Sequence, residues 1–328
     1  MEVCWAFNTQ DWCPTKPQLT RCLSVLPKPE VQFLFEEKQH KKHFKNSLML
    51  RLMRRKSTSL MLKGVKWGDI YFHTHNRKPK LAKPTPRLNG GDSANGVRYY
   101  PSFNGSHKGK YTVFAASTLH KVGIDIVSFH EQQNWQQRWN RWRNGQTNSL
   151  NTSYFEWYKL KCVKHWLAQS EWDFVHTFVD DEETQRQLCY RFWSLKESFL
   201  KVQGFTSNQA WGVTPRQFRQ LNFTIKTLLS EDGVLVCADT CLFIEQADGT
   251  VKEIFDHRFT EYLIDNEHLM VVTHKCRSSF NNLMVLQLHY PNLDYLLDLS
   301  QPIYGKKTQN VPQDVWWDKY LRLSESHH

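Results

Sequence analysis

Arg191-Phe-Trp-Ser-Leu-Lys-Glu-Ser-Phe-Leu-Lys-Val-Gln-Gly204 reads as the end of a long amphipathic helix. Phe192, Leu195, Phe199 and Val202 recur at helical spacing and predict one buried stripe. Trp193, Glu197 and Lys201 stand four apart on a different face, and Gly204 is a C-terminal stop. Taken alone, a carboxylate and an ammonium one turn apart are an ordinary solvated pair, worth about 0.2–0.5 kcal/mol.

An acid upstream changes that reading. Val122-Gly-Ile-Asp-Ile-Val127 alternates as a strand, with Ile124 and Ile126 on one face and Gly123, Asp125 and Val127 on the other. Strand propensity disfavours a mid-strand aspartate, so Asp125 needs a partner such as a cation unless it sits at an exposed end. Phe103-Asn-Gly-Ser-His-Lys-Gly109 and a strand from Tyr111 to Ala116 come just before.

Outward from there, Val3–Phe7 predicts a strand, and prolines 14, 17, 27 and 29 predict turns after it. A basic helix is expected from about 35 to 62, with a short strand over 68–75. Residues 83–98 read as a Gly/Pro-bearing loop and 130–155 as a polar insertion. Ser170 reads as the N-cap of a short helix, and Asp180 or Asp181 as the cap of the long one. Strands follow near 223–229, 240–245, 251–255 (across an Asp248-Gly249 turn) and 269–273. Residues 276–328 read as an irregular tail with one or two short elements.

A chain of 328 residues can bury a substantial core. The N-terminus has no basic segment leading an apolar run, and no apolar run approaches the length of a membrane span, which predicts a soluble cytosolic protein. Eight cysteines without a CxxC pair predict reduced thiols. The net charge of +11 is uneven: residues 1–100 hold 19 Lys+Arg against 7 Asp+Glu, and the remainder 24 against 25. Such a basic first third suits phosphate-bearing ligands, an acidic protein or nucleic acid.

Read together, Phe103-Asn-Gly-Ser-His107, Val122-Gly-Ile-Asp-Ile126 and Trp193-Ser-Leu-Lys-Glu-Ser-Phe-Leu-Lys201 resemble the signature of the 4′-phosphopantetheinyl transferases, in particular the animal branch. The resemblance implies an α+β fold of two similar halves, a pseudo-twofold monomer with each half an antiparallel sheet packed on a long helix. It implies transfer of the phosphopantetheine arm of coenzyme A to a serine of an apo acyl or peptidyl carrier protein, with Mg²⁺, releasing adenosine 3′,5′-bisphosphate. The carrier domains expected are of the fatty acid synthase and aminoadipate-semialdehyde dehydrogenase types, with neither nucleic acid nor membrane as partner.

By the same resemblance Asp125 and Glu197 hold the metal, and Glu197, Lys201 and His107 are catalytic. Lys38, His73, Lys78, Asn104, Ser106, His107 and Lys201 contact coenzyme A. Val127 stands where many relatives carry a third acid, and Lys38 and His73 stand where arginines are expected. Lys108 replaces a neutral residue. The halves are expected at 1–118 and 119–275, with 276–328 as an extension. The competing reading, a basic nucleic-acid-binding protein, explains the charge and the 13 tryptophans but not a mid-strand aspartate paired with a helix glutamate.

Overall fold

A computed structural model describes residues 1–37, 40–62, 65–75, 78–81, 101–130, 166–205, 215–228, 236–246, 248–276, 286–298, 300 and 313–325. Lys38, the 83–98 loop and the passage after His130 lie outside these. The chain gathers into two compact units, residues 1–119 with 287–328 and residues 120–286.

The first unit opens with β1 (Glu2–Asn8), buried from Val3 to Phe7. Helix α1 (Lys16–Ser24) follows under a capping box: Thr15 Oγ1 accepts the Gln18 N–H, and the Gln18 side chain accepts the Thr15 N–H. Two of the four prolines that predicted turns open helices instead. Pro17 and Pro29 hold the second positions of α1 and of α2 (Lys28–Glu37), where a missing N–H leaves no bond unmade. The single helix expected over 35–62 is also two. Helix α2 ends at Glu37, and α3 (Lys41–Met61) starts after the extended His40, with the Ser324 carbonyl accepting the Lys41 N–H.

A 3₁₀ turn at Trp67–Asp69 leads into the hairpin β2 (Phe72–His75) and β3 (Lys78–Leu81). Strands β4 (Ser102–Lys108) and β5 (Tyr111–Ser117) make a second hairpin, turned by Gly109 at φ 56°, a conformation glycine adopts without steric cost.

The second unit holds β6 (Lys121–Ser128), α4 (Gln169–His176) and the long α5 (Glu182–Gln203). After them come α6 (Pro215–Gln220), β7 (Leu221–Thr224), β8 (Val236–Cys237), β9 (Cys241–Glu245), β10 (Val251–Glu253), β11 (His257–Asp265) and β12 (His268–Lys275). Helix α4 is capped by Ala168, not Ser170, because the Glu171 carboxylate accepts the Ala168 N–H at 2.8 Å. Strand β11 has no counterpart in the sequence reading. Its polar His257, Thr260 and Glu261 are buried, which hides the alternation.

The chain then returns to the first unit with β13 (Leu288–His289), α7 (Leu293–Leu297) and α8 (Gln313–Leu321). The tail read as irregular with one or two short elements thus carries three among its described residues. Leu296, Leu297, Trp316 and Tyr320 enter the same core as Trp5 and Phe44. Acids of this segment meet cations of the first third: Asp294 pairs Arg21 at 2.8 Å, Glu325 pairs Lys41 at 2.6 Å, Asp314 pairs Lys16 and Asp298 pairs Lys56. Lys45 donates to the Gln10 and Trp12 carbonyls. Part of the basic face that the sequence offered to partners is thus engaged within the chain.

Each unit therefore carries a long helix over a four-stranded sheet. In the first, α3 packs on β4 and β5 of the sheet β13-β1-β5-β4, antiparallel except where β13 joins β1. In the second, α5 packs on β6 and β12 of the antiparallel sheet β6-β12-β11-β8. The α+β class is the one expected. Trp5, Trp67, Trp166 and Trp193 are buried in these cores, so they offer no face on which a base could stack.

Candidate active site

Helix α5 starts where Asp181 accepts the Thr184 N–H at 2.9 Å and stops at Gly204, φ 106°. Between these caps it is not the one-sided amphipathic helix that periodicity predicts. Every residue from Leu188 to Val202 is buried. The stripe Phe192–Leu195–Phe199–Val202 is in the core, and Trp193 is enclosed as well, stacked on Phe218 at 4.9 Å and edge-on to Trp166. A helix covered all round must satisfy its charged side chains internally. Arg191 does so on Glu261 and Lys196 on Glu171.

The third cation, Lys201, reaches off the helix. Its Nζ donates to Asp125 Oδ1 at 2.6 Å and to the Ile124 carbonyl at 3.0 Å. The mid-strand aspartate thus has the cation it required. Glu197 lies one turn before Lys201 and is 3 % exposed. Two carboxylates and an ammonium therefore gather where α5 crosses β6.

Gly123 makes that crossing possible. A Cβ at this position would stand 2.2 Å from the Ser198 carbonyl oxygen and 2.6 Å from the Val202 nitrogen, so a side chain would push helix and strand apart. Asp125, two residues on, shares the face of β6 that meets the helix, as does the fully buried Val127. Ser198 and Thr273 of β12 share a hydrogen bond at 2.7 Å that fixes the helix over the sheet. A glycine inside a strand was a legible signal of close approach. The Ile124 carbonyl had none.

His107 lies on β4 of the first unit and is exposed, its ring 6.4 Å edge-on from that of His43 on α3. Gly105 on the same face meets Leu50 of α3. Strand alternation turns Asn104, Ser106 and Lys108 to the opposite face, so Asn104 and Ser106 do not share a side with His107. His73 is exposed on β2, opposite Lys80. Lys78 begins β3 with its side chain outside the description, and Lys38 is outside it altogether.

Among the described residues no group of three or more His, Cys, Asp or Glu is placed to hold a metal ion. Asp125 on β6 and Glu197 on α5 are oxygen donors of the kind that suits a cation bringing phosphate oxygens and water as its other ligands.

Comparison with known proteins places both units. The family model described as 4′-phosphopantetheinyl transferase, N-terminal, matches residues 10–119, and that of the 4′-phosphopantetheinyl transferase superfamily matches residues 121–233. The L-aminoadipate-semialdehyde dehydrogenase-phosphopantetheinyl transferases of Mus musculus and Homo sapiens are each 30% identical to the chain over 279 residues, covering 82% of it and 74% of the relative. The Xenopus laevis protein of the same name is 25% identical over 278 residues, 82% of the chain and 75% of the relative. Asp125, Glu197 and Lys201 fall within the second matched span, and the chain belongs to the 4′-phosphopantetheinyl transferase superfamily.

Proposed function

We infer that this chain transfers the 4′-phosphopantetheine arm of coenzyme A to a serine of carrier-protein domains. The observation that carries the reading is the buried set Asp125, Glu197 and Lys201 at the crossing of β6 and α5, inside the span that matches the superfamily.

The reaction forms a bond from the serine oxygen to the β-phosphorus of coenzyme A. It breaks the bond from that phosphorus to the bridging oxygen, which leaves with adenosine 3′,5′-bisphosphate. Glu197 takes the serine proton, directly or through one water. The Lys201 ammonium, held between Asp125 and the Ile124 carbonyl, provides a fixed positive charge for the pyrophosphate. Asp125 and Glu197 would hold Mg²⁺, which offsets charge on the leaving phosphate. His107 contacts a coenzyme A phosphate. Lys38, His73 and Lys78 extend that cationic contact. Asn104 and Ser106 bind through their backbone, since their side chains face away from His107.

The substrates assigned are acyl and peptidyl carrier domains of the fatty acid synthase and aminoadipate-semialdehyde dehydrogenase types, in the cytosol. Among the described residues no helix is long and apolar enough to cross a membrane. The test is incubation with apo carrier protein, coenzyme A and Mg²⁺, read by intact mass. A gain of one phosphopantetheine arm is expected, and no gain across several carriers would overturn the reading.

A further inference from the structure

Three arginines of α3 crowd a single carboxylate. Glu30 of α2 accepts from Arg55 Nη2 at 2.6 Å, and its other oxygen stands 3.6 Å from Arg51 Nε and 3.7 Å from Arg54 Nη2. Arg55 is fully buried and also donates to the Ile70 carbonyl at 2.7 Å. Arg51 donates to the Ser47 carbonyl of its own helix. The Arg54 guanidinium makes no hydrogen bond among the described residues and lies 4.3 Å from the Phe72 ring centre. The Nε atoms of all three arginines and one Glu30 oxygen are buried without a hydrogen-bond partner among the described residues.

Arg191 shows what a satisfied guanidinium looks like in the same molecule. It has its own carboxylate at 2.6 and 3.0 Å, a carbonyl on Nη1 and a sulfur on Nη2. Among the described residues the α3 cluster has three cations for one anion, an excess of two positive charges on side chains no more than 16% exposed. Unpaired charge in such a place is strongly disfavoured. Burial drives the Arg54 guanidinium down to about 9 and lowers that of Arg51, against the pull of Glu30.

We propose that Arg51 and Arg54, oriented by Glu30 and backed by Phe72, form a binding site for a phosphate-type dianion. Two negative charges offset the excess, and guanidinium forks match phosphate oxygens bidentately. The cluster lies at a rim, not in a sealed core: Phe33, 5.3 Å from Arg51, and Tyr71, next to Phe72, are exposed. None of these side chains is assigned to the transfer reaction. Free phosphate and a nucleotide monophosphate present the same chemistry.

The experiment follows thermal unfolding and calorimetric titration of the full chain with sodium phosphate, against sodium chloride at matched ionic strength. Phosphate is expected to raise the melting temperature saturably and chloride not. Arg54→Gln should weaken phosphate binding at least about tenfold. In phosphate-free buffer it should melt no lower than the parent, because a like charge has gone. His107→Gln, altered at the contact assigned to coenzyme A, should keep the parent response. Adenosine monophosphate run in parallel displaces the bound ion if the site takes an ester and leaves it if the site takes only the free ion; either behaviour supports the site. A phosphate effect no larger than that of chloride, one that survives Arg54→Gln, or one lost in His107→Gln would overturn it.

Discussion

Between Leu188 and Val202, helix α5 carries three buried cations, and they divide into two kinds. Arg191 and Lys196 are closed. Glu261 takes Arg191 Nε, Nη2 and the Thr240 hydroxyl, while Glu171 takes Lys196 and the Ala168 and Phe223 N–H groups. Lys196 also donates to the Trp166 and Phe218 carbonyls. These four side chains are at most 1% exposed. Lys201 and Asp125 are 8% and 10% exposed, and a second carboxylate, Glu197, stands one turn away. The same chemistry serves two ends. Where every lone pair and proton has an internal partner, an ion pair holds the fold. Where the pair borders another carboxylate and opens slightly to solvent, it is suited to a charged substrate.

Separating the two kinds should break them differently. Glu197→Gln is expected to cost about 10²–10⁴ in kcat with the melting temperature unchanged, measured by transfer to apo carrier protein. Wild-type turnover in that variant would remove the catalytic role. Glu261→Ala should act on the other axis. It strands Arg191, whose guanidinium burial pulls down and Glu261 holds above its ordinary value, and is expected to cost about 3–5 kcal/mol in urea unfolding. A loss below about 1 kcal/mol would mean that the closed pairs are not structural. Gly123→Ala joins the two, since it pushes α5 off β6. A loss of about 1–3 kcal/mol is expected together with reduced turnover, and full activity at reduced stability would show that Lys201 and Asp125 do not depend on that close approach.

Legibility along the chain followed how local the determining interactions are. The caps Asp181 and Gly204 and the alternation of β6 depend on neighbours a few residues away, and were readable. Prolines 17 and 29 misled because a helix start and a turn tolerate the same residue. Strand β11 and the C-terminal segment escaped because their reasons lie far off in sequence: Glu261 is there for Arg191, and Asp298 for Lys56.

The motif around Trp193 to Gly204 shows the same division. Sequence alone determined that it is a helix, where it stops, and that Glu197 and Lys201 share a face, because backbone geometry sets those spacings. Pairing Lys201 with Asp125 was left to the tertiary structure. That choice depends on Gly123 admitting the helix to within contact of β6 and on burial of every face of α5, which removes water as a competing partner and makes the nearest opposite charge decisive.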